Sequence, residues 1–287
     1  MKRIPILGTL LLIPAIAMFI MVGCTSGTKK EGTKEVTPKA DDSKVEGPKK
    51  TEKIATETSA TVSGVVKLKG KAPEVPVEAR IAAHKDAPFC MMGKGFNVQE
   101  QMWLVNDGKV GNVVVWLGPP AGKEFDVNDK IKEPFKKAVE IDQPFCAYVP
   151  HVVAVYSEIQ PLVFKNSATV QHNVKMNPGG AIGPSMDEII PPGKASQPRT
   201  YKSKEAVIDA GCSMHNWMTA KVAIFNQPYF AVTNDKGEFK IENVPIDTEL
   251  TVYVWHESMG ALKNRIEGKK ASFKKGENTV DGLEVGK

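Results

Sequence analysis

Cys212, His215 and Met218 stand at C-x2-H-x2-M spacing in the run Cys212-Ser213-Met214-His215-Asn216-Trp217-Met218, which sets a thiol, an imidazole and a thioether on one short loop. A second imidazole, His172, lies upstream in Val170-Gln171-His172-Asn173-Val174. One cysteine, two histidines and a weakly binding methionine are the donor set of a mononuclear copper site that passes single electrons. Thiolate and imidazole together suit both Cu(II) and Cu(I), so the geometry need change little when an electron moves. The thioether, as a weak axial ligand, helps to set the potential. Zinc also takes cysteine and histidine but has no use for a thioether. Taken alone, His172 would read as a satisfied strand residue and Met218 as core. Together the four point to one copper ion held by His172, Cys212, His215 and Met218.

The same residues carry a family resemblance. Cys212-x-x-His215-x-x-Met218 followed by Ala220-Lys221-Val222 resembles the ligand loop of the cupredoxins, the amicyanin type above all, and His172-Asn173-Val174 resembles that family's upstream His-Asn-Val. The resemblance implies a Greek-key sandwich with the metal near one end and the His215 ring edge near the surface as electron port. It also implies that Asn173 bridges the two ligand loops, its backbone N–H aimed at the Cys212 sulfur, an outer contact of the kind that tunes a metal. Asn216 departs from the pattern, since such loops usually carry Pro after the histidine; loop rigidity and potential are affected, not the ligand identities. Trp217 is expected to pack over the site and keep water out. His84 reads as an exposed residue of a polar stretch, and His256 as a buried imidazole paired with Glu257 or a carbonyl.

The other cysteines follow from export. Lys2 and Arg3 precede the apolar run Ile6 to Val22, and Met21-Val22-Gly23-Cys24 resembles the lipobox of bacterial lipoproteins. That resemblance implies a signal peptide over 1–23, acylation of Cys24 and anchoring to a membrane, with outer-membrane sorting in a Gram-negative host because Thr25 follows the cysteine. An exported chain normally oxidises its spare thiols, and with Cys24 and Cys212 assigned, Cys90 and Cys146 remain to form a disulfide. The rival pairing, Cys146 with His151 on a metal, puts two residues five apart on opposite faces of a strand. No C-x-x-C-H is present, so covalent haem is excluded.

The elements that must position these residues are strands. Residues 24–60 are rich in Lys, Glu, Thr, Gly, Pro and Ser and predict a disordered tether. From Thr61 on, Val62 to Leu68 alternates, Val113 to Leu117 is a wholly apolar run, and Asn106-Asp107-Gly108 and Asn234 to Gly237 are turn signals. The one helix expected is short, near Asp126 to Ala138. Strands are expected at 151–156, 161–165, 170–176, 206–209 and 219–225. The class is all-β. A second resemblance, carried by Val232 to Phe239, Asn243-Val244-Pro245, Val252 to Trp255 and Ser63 to Val66, is to carboxypeptidase-regulatory-like (transthyretin-like) sandwiches. It implies a discontinuous sandwich over 61–140 and 227–287, with the cupredoxin-like copper domain of 141–226 inserted.

The chain carries 38 Lys+Arg against 33 Asp+Glu, a formal +5 shared with the signal and the tether, and nothing resembles a nucleic-acid footprint. With His172 and His215 committed, only His84, His151 and His256 remain of the five histidines. That is too few for a second copper centre, so no enzyme and no small-molecule substrate are expected. The expectation is an exported, lipid-anchored one-electron carrier between redox protein partners, with copper binding or delivery as the alternative.

Overall fold

The computed structural model describes residues 51–55, 59–74, 79–91 and 102–286. The expected signal peptide, the acylated Cys24 and most of the tether lie outside the described residues. The end of that tether is ordered, contrary to the expectation. Glu52–Ala55 forms a strand parallel to Lys123–Asp126, with Ile54 buried and the pairs Lys53–Asp126 and Lys123–Glu52 alongside. Strand pairing over four residues, with the burial of Ile54, seats a segment whose composition otherwise reads as tether, and the two exposed ion pairs add little.

The described chain is all-β, with short helical turns only. A five-stranded mixed sheet runs in the order Met186–Ile190, His172–Met176, Glu205–Gly211, Thr219–Phe225, Val152–Tyr156. A smaller sheet of Lys194–Ala195, Leu162–Asn166 and Val139–Ile141 packs against it. Their common core takes alternate residues of each strand: Val153 and Val155, Val174 and Met176, Ile208 and Ala210, Ala220, Val222 and Ile224, against Ile141, Leu162 and Phe164. Ile81 and Cys90, from the short helices Ala79–Ala82 and Ala87–Cys90, are buried in this same core, although the sequence groups their segment with the other sandwich.

A second pair of sheets is built from the flanking chain. One is ordered Phe230–Val232, Val114–Gly118, Glu249–Trp255, Ile266–Ser272. The other holds Glu238–Pro245, Ser59–Leu68, Lys109–Val110 and Val105–Asn106, with Gly276–Val285 parallel to Ser59–Leu68. Asp107 and Gly108 make the turn of its small hairpin with φ of 49° and 71°, as their residue types predict. At Gly237, φ is 69° and a Cβ would meet the Val66 carbonyl oxygen at 2.7 Å, so this hairpin tip requires glycine.

The apolar runs explain how the two cores meet. Val113, Val115 and Leu117 face the second core, while Val114 and Trp116 face a third cluster. Val152, Ala223 and Phe225 reach that cluster from the other side, and Trp255 and Leu262 complete it. Strands buried on both faces read as continuous hydrophobic sequence. By chain contacts, residues 50–287 form one compact unit.

Candidate metal centre

The loop Cys212–Met218 is the connection of a β-hairpin whose last paired residues are Gly211 and Thr219. It is closed by two main-chain bonds: Met218 N–H donates to the His215 carbonyl at 2.8 Å, and Cys212 N–H to the Met218 carbonyl at 3.3 Å. His172 opens the neighbouring strand, paired with Ile190 on one side. On the other side the same strand meets the hairpin through Lys175 and Gly211. Period-two geometry then sends His172, Val174 and Met176 to one face, the face that carries the core.

Two residues lock strand to loop. The Asn173 side chain accepts from Ser213 N–H and donates to Asp187 Oδ1 at 2.8 Å and to Ser213 Oγ at 3.3 Å. The expected bridge is therefore present and runs through the side chain. Among the described residues, the Cys212 sulfur has its recorded contact with His215, not with the Asn173 amide. Tyr148, which the sequence did not single out, shares its hydroxyl proton between the Asn173 and Gly211 carbonyls, each at 2.9 Å, and so clamps the residues next to His172 and Cys212. Burial, and secondarily the nearby Cys212, pushes its pKa far up, so the phenol stays a donor.

The side chains converge. His172 Nδ1 lies 3.0 Å from His215 Nδ1, and Cys212 Sγ 3.8 Å from the same nitrogen. One donor atom from each of the three falls within 4.8 Å of the others, and all three residues are buried. Met218 is buried in the same core. Cys212 is free, while Cys90 and Cys146 are disulfide-bonded as expected, and one sulfur of each lies within 4.8 Å of a His215 ring nitrogen. Trp217 packs 5.3 Å from the His215 ring, its indole N–H donating to the Cys146 carbonyl at 3.2 Å, so it lies against the site as expected.

One expectation fails. The His215 ring edge is not at the surface: the residue is 0% exposed. Its Nε2 lies 3.0 Å from Asp86 Oδ2, and the His84 ring sits 4.8 Å away, in contact with both His215 and Trp217. His84 is accordingly half-buried packing rather than a freely exposed residue. The segment 79–91, pinned to Cys146 by the disulfide, is what covers the ring. Open space lies instead in a cleft of about 560 Å³ that neither His215 nor 79–91 lines, bounded by Cys212, Met218, Ser213, Asn216, Lys175 and Lys221 among others.

The chemistry of this set fits a cation. Burial first, then the charge of His215, lowers the His172 pKa to about 4. Burial lowers that of His215 too, against the opposing pull of Asp86. Both rings are therefore neutral near pH 7. Two neutral imidazoles with Nδ1 atoms at contact repel unless a proton or a metal lies between the lone pairs. His172 Nε2 is buried with no hydrogen-bond partner among the described residues. An orphaned polar atom of this kind costs about 1–3 kcal/mol, so what fixes the ring acts at Nδ1.

No family model and no curated protein matches the chain. Among solved structures it is similar to amicyanin from Paracoccus versutus, at 19% identity over 40% of this chain and 98% of that one, with a TM-score of 0.27. A purple cupredoxin from Nitrosopumilus maritimus matches at 16% identity over 30% of this chain and 98% of that one, with a TM-score of 0.25. A copper-containing nitrite reductase from Thermus scotoductus matches at 14% identity and a TM-score of 0.27, over 31% of this chain but only 23% of the reductase. At such scores these likenesses decide nothing about chemistry, which rests on the residues above.

Proposed function

We propose that the chain is an exported one-electron carrier, anchored to a membrane through a lipid on Cys24, that holds one type 1 copper ion on His172, Cys212, His215 and Met218 and exchanges electrons with redox proteins. The observation that carries this is the buried convergence of two neutral imidazole Nδ1 atoms on a free thiol. Copper there would supply a one-electron couple between Cu(II) and Cu(I). The chain's own residues do the rest. Cys212 gives up its proton when metal binds. Asn173 and Tyr148 hold strand and loop in one geometry for both oxidation states, which keeps the cost of reorganisation small. Trp217 and the Cys90–Cys146 disulfide exclude water. The flanking sheets, drawn from the chain on either side, are read as a support into which the copper-bearing part is inserted, with 79–91 and Val139–Ile141 packing on the copper side rather than with the flanking sheets.

Residues 25–287, prepared without the anchor and given one equivalent of Cu(II), are expected to show an intense red-region thiolate-to-copper band. Ascorbate should bleach it and Cys212→Ser should abolish it. A pale adduct with no such band would falsify the blue-copper assignment. Copper delivery is the second reading, favoured by the cleft beside Cys212 and Met218 and by Met214, which is 37% exposed on the ligand loop. A Cu(I) chelator separates the two: a carrier retains its metal for hours, a delivery protein surrenders it in seconds.

A further inference from the structure

Asp86 opens the short helix Ala87–Cys90, where an aspartate ordinarily turns its carboxylate onto the helix's own free N–H groups. Here the side chain caps nothing: the amides of Phe89 and Cys90 bond to the Asp86 main-chain oxygen instead. The carboxylate points to His215, with Oδ2 3.0 Å from Nε2. The ring is 0% exposed and the Asp86 side chain 24% exposed, so a partly hydrated charge reaches a fully buried imidazole. His84 steadies it from the other side, accepting from the Asp86 amide at 3.2 Å with its ring packed on His215. A carboxylate only accepts, so the proton of the neutral His215 ring sits on Nε2. The bare nitrogen is then Nδ1, the atom that faces His172 Nδ1 and Cys212 Sγ.

We propose that Asp86 is a positioning residue of the metal centre: its carboxylate fixes the His215 tautomer with Nδ1 free for copper and makes that imidazole a stronger donor. Resting on the copper reading above, the proposal deepens it. A carboxylate behind a ligating histidine orients the ring and raises its basicity. A more basic ligand favours Cu(II) over Cu(I), so Asp86 holds the reduction potential down. Nothing in the C-x2-H-x2-M spacing contains this residue; the fold brings it from a segment 129 residues away.

The test compares full-length protein in detergent, loaded with copper, with Asp86→Asn, which keeps the shape and removes the charge, and Asp86→Glu, which keeps the charge. The thiolate-to-copper band is expected in all three. In Asp86→Asn the preference for Cu(II) over Cu(I) should fall about tenfold, the lower end of what loss of such outer contacts does to metal affinity. For a one-electron couple that is a rise of about 59 mV, and Asp86→Glu should return most of it. A merely structural Asp86 would lower the melting temperature and leave the potential unmoved. An unchanged potential with the band in place overturns the positioning role and leaves the copper reading standing. If the wild type gives no band, the copper reading fails instead and the metal-free protein decides about Asp86. Nitrogen-15 NMR should then find His215 as the Nε2–H tautomer in the wild type and a mixture in Asp86→Ala; the same distribution in both overturns the role.

Discussion

Two imidazole nitrogens 3.0 Å apart tolerate one proton or one metal ion between them, but not two charged rings. This makes the metal-free protein acid-sensitive in a defined direction. In the unfolded chain a histidine titrates near 6.5, whereas burial and then the His215 charge hold folded His172 down to about 4. Between those values the unfolded state binds a proton that the folded state refuses, so stability is greatest above about pH 6.5 and falls as pH drops toward about 4. Copper affinity should decline over the same range, because protons compete for the same lone pairs. Melting curves of the metal-free protein should shift down steadily on acidification, with a shallower dependence in His172→Gln. A melting temperature that climbs as pH falls would contradict the buried neutral pair. At this scale the sequence was informative wherever function is local. Cys212, His215 and Met218 share one loop, and their types and spacing are what raise the expectation of a metal. Asp86 and Tyr148 were not legible, because each acts through one hydrogen-bonding group across 129 and 63 residues. No local pattern marks an aspartate that caps a histidine instead of its own helix.

The helices Ala79–Ala82 and Ala87–Cys90 are a single turn each, too short to persist alone. What keeps them on the ligand loop is Ile81 and Cys90 in the core and the bond to Cys146, which spans a sequence separation of 56. Replacing both cysteines with alanine should cost about 2–4 kcal/mol in urea unfolding, mostly by freeing the unfolded chain. It should also loosen the cover over His215, so that diethyl pyrocarbonate modifies Nε2 faster than in the wild type. Equal modification rates would show that the disulfide does not hold the cover. The strands around this segment were readable because alternation and turn chemistry agree: Ala220, Val222 and Ile224 face inward, and Asp107-Gly108 turns where it must. Residues 79–91 offered neither alternation nor a helical stripe, and their placement depends on long-range ties: the disulfide, the burial of Ile81, Ala87 and Cys90, and the Asp86–His215 bond. That is why His84 read as exposed and the His215 edge as open.

Across the whole molecule, the contact between the sandwiches pairs an apolar patch with one buried charge. Val114, Trp116 and Trp255 meet Val152, Ala223 and Phe225. Beside them, Glu257, its side chain 3% exposed, bonds to His151 Nε2 at 2.5 Å and lies 3.8 Å from Lys221 Nζ. His256, next in sequence to Glu257, takes the Met102 carbonyl at 2.7 Å instead, one of the two alternatives its sequence context left open. Burial would raise the Glu257 pKa, but the His151 hydrogen bond and the charges of His151 and Lys221 outweigh it, and the carboxyl sits below its usual range. The stability it lends is thus present above pH 4.5, the ordinary value for the group, and is lost as acid carries pH down through the lowered value. Removing one member of a buried pair leaves the other uncompensated, at about 3–5 kcal/mol. Glu257→Ala should therefore destabilise by that order, and it should do so at the junction. With Trp103 and Trp217 replaced by Phe, so that only Trp116 and Trp255 emit, fluorescence and far-ultraviolet dichroism of the otherwise unchanged protein should report one coincident urea transition. With Glu257→Ala added, the fluorescence transition should come first, as the sandwiches part before either unfolds. Coincident transitions in the variant would mean that the apolar patch alone couples the two halves.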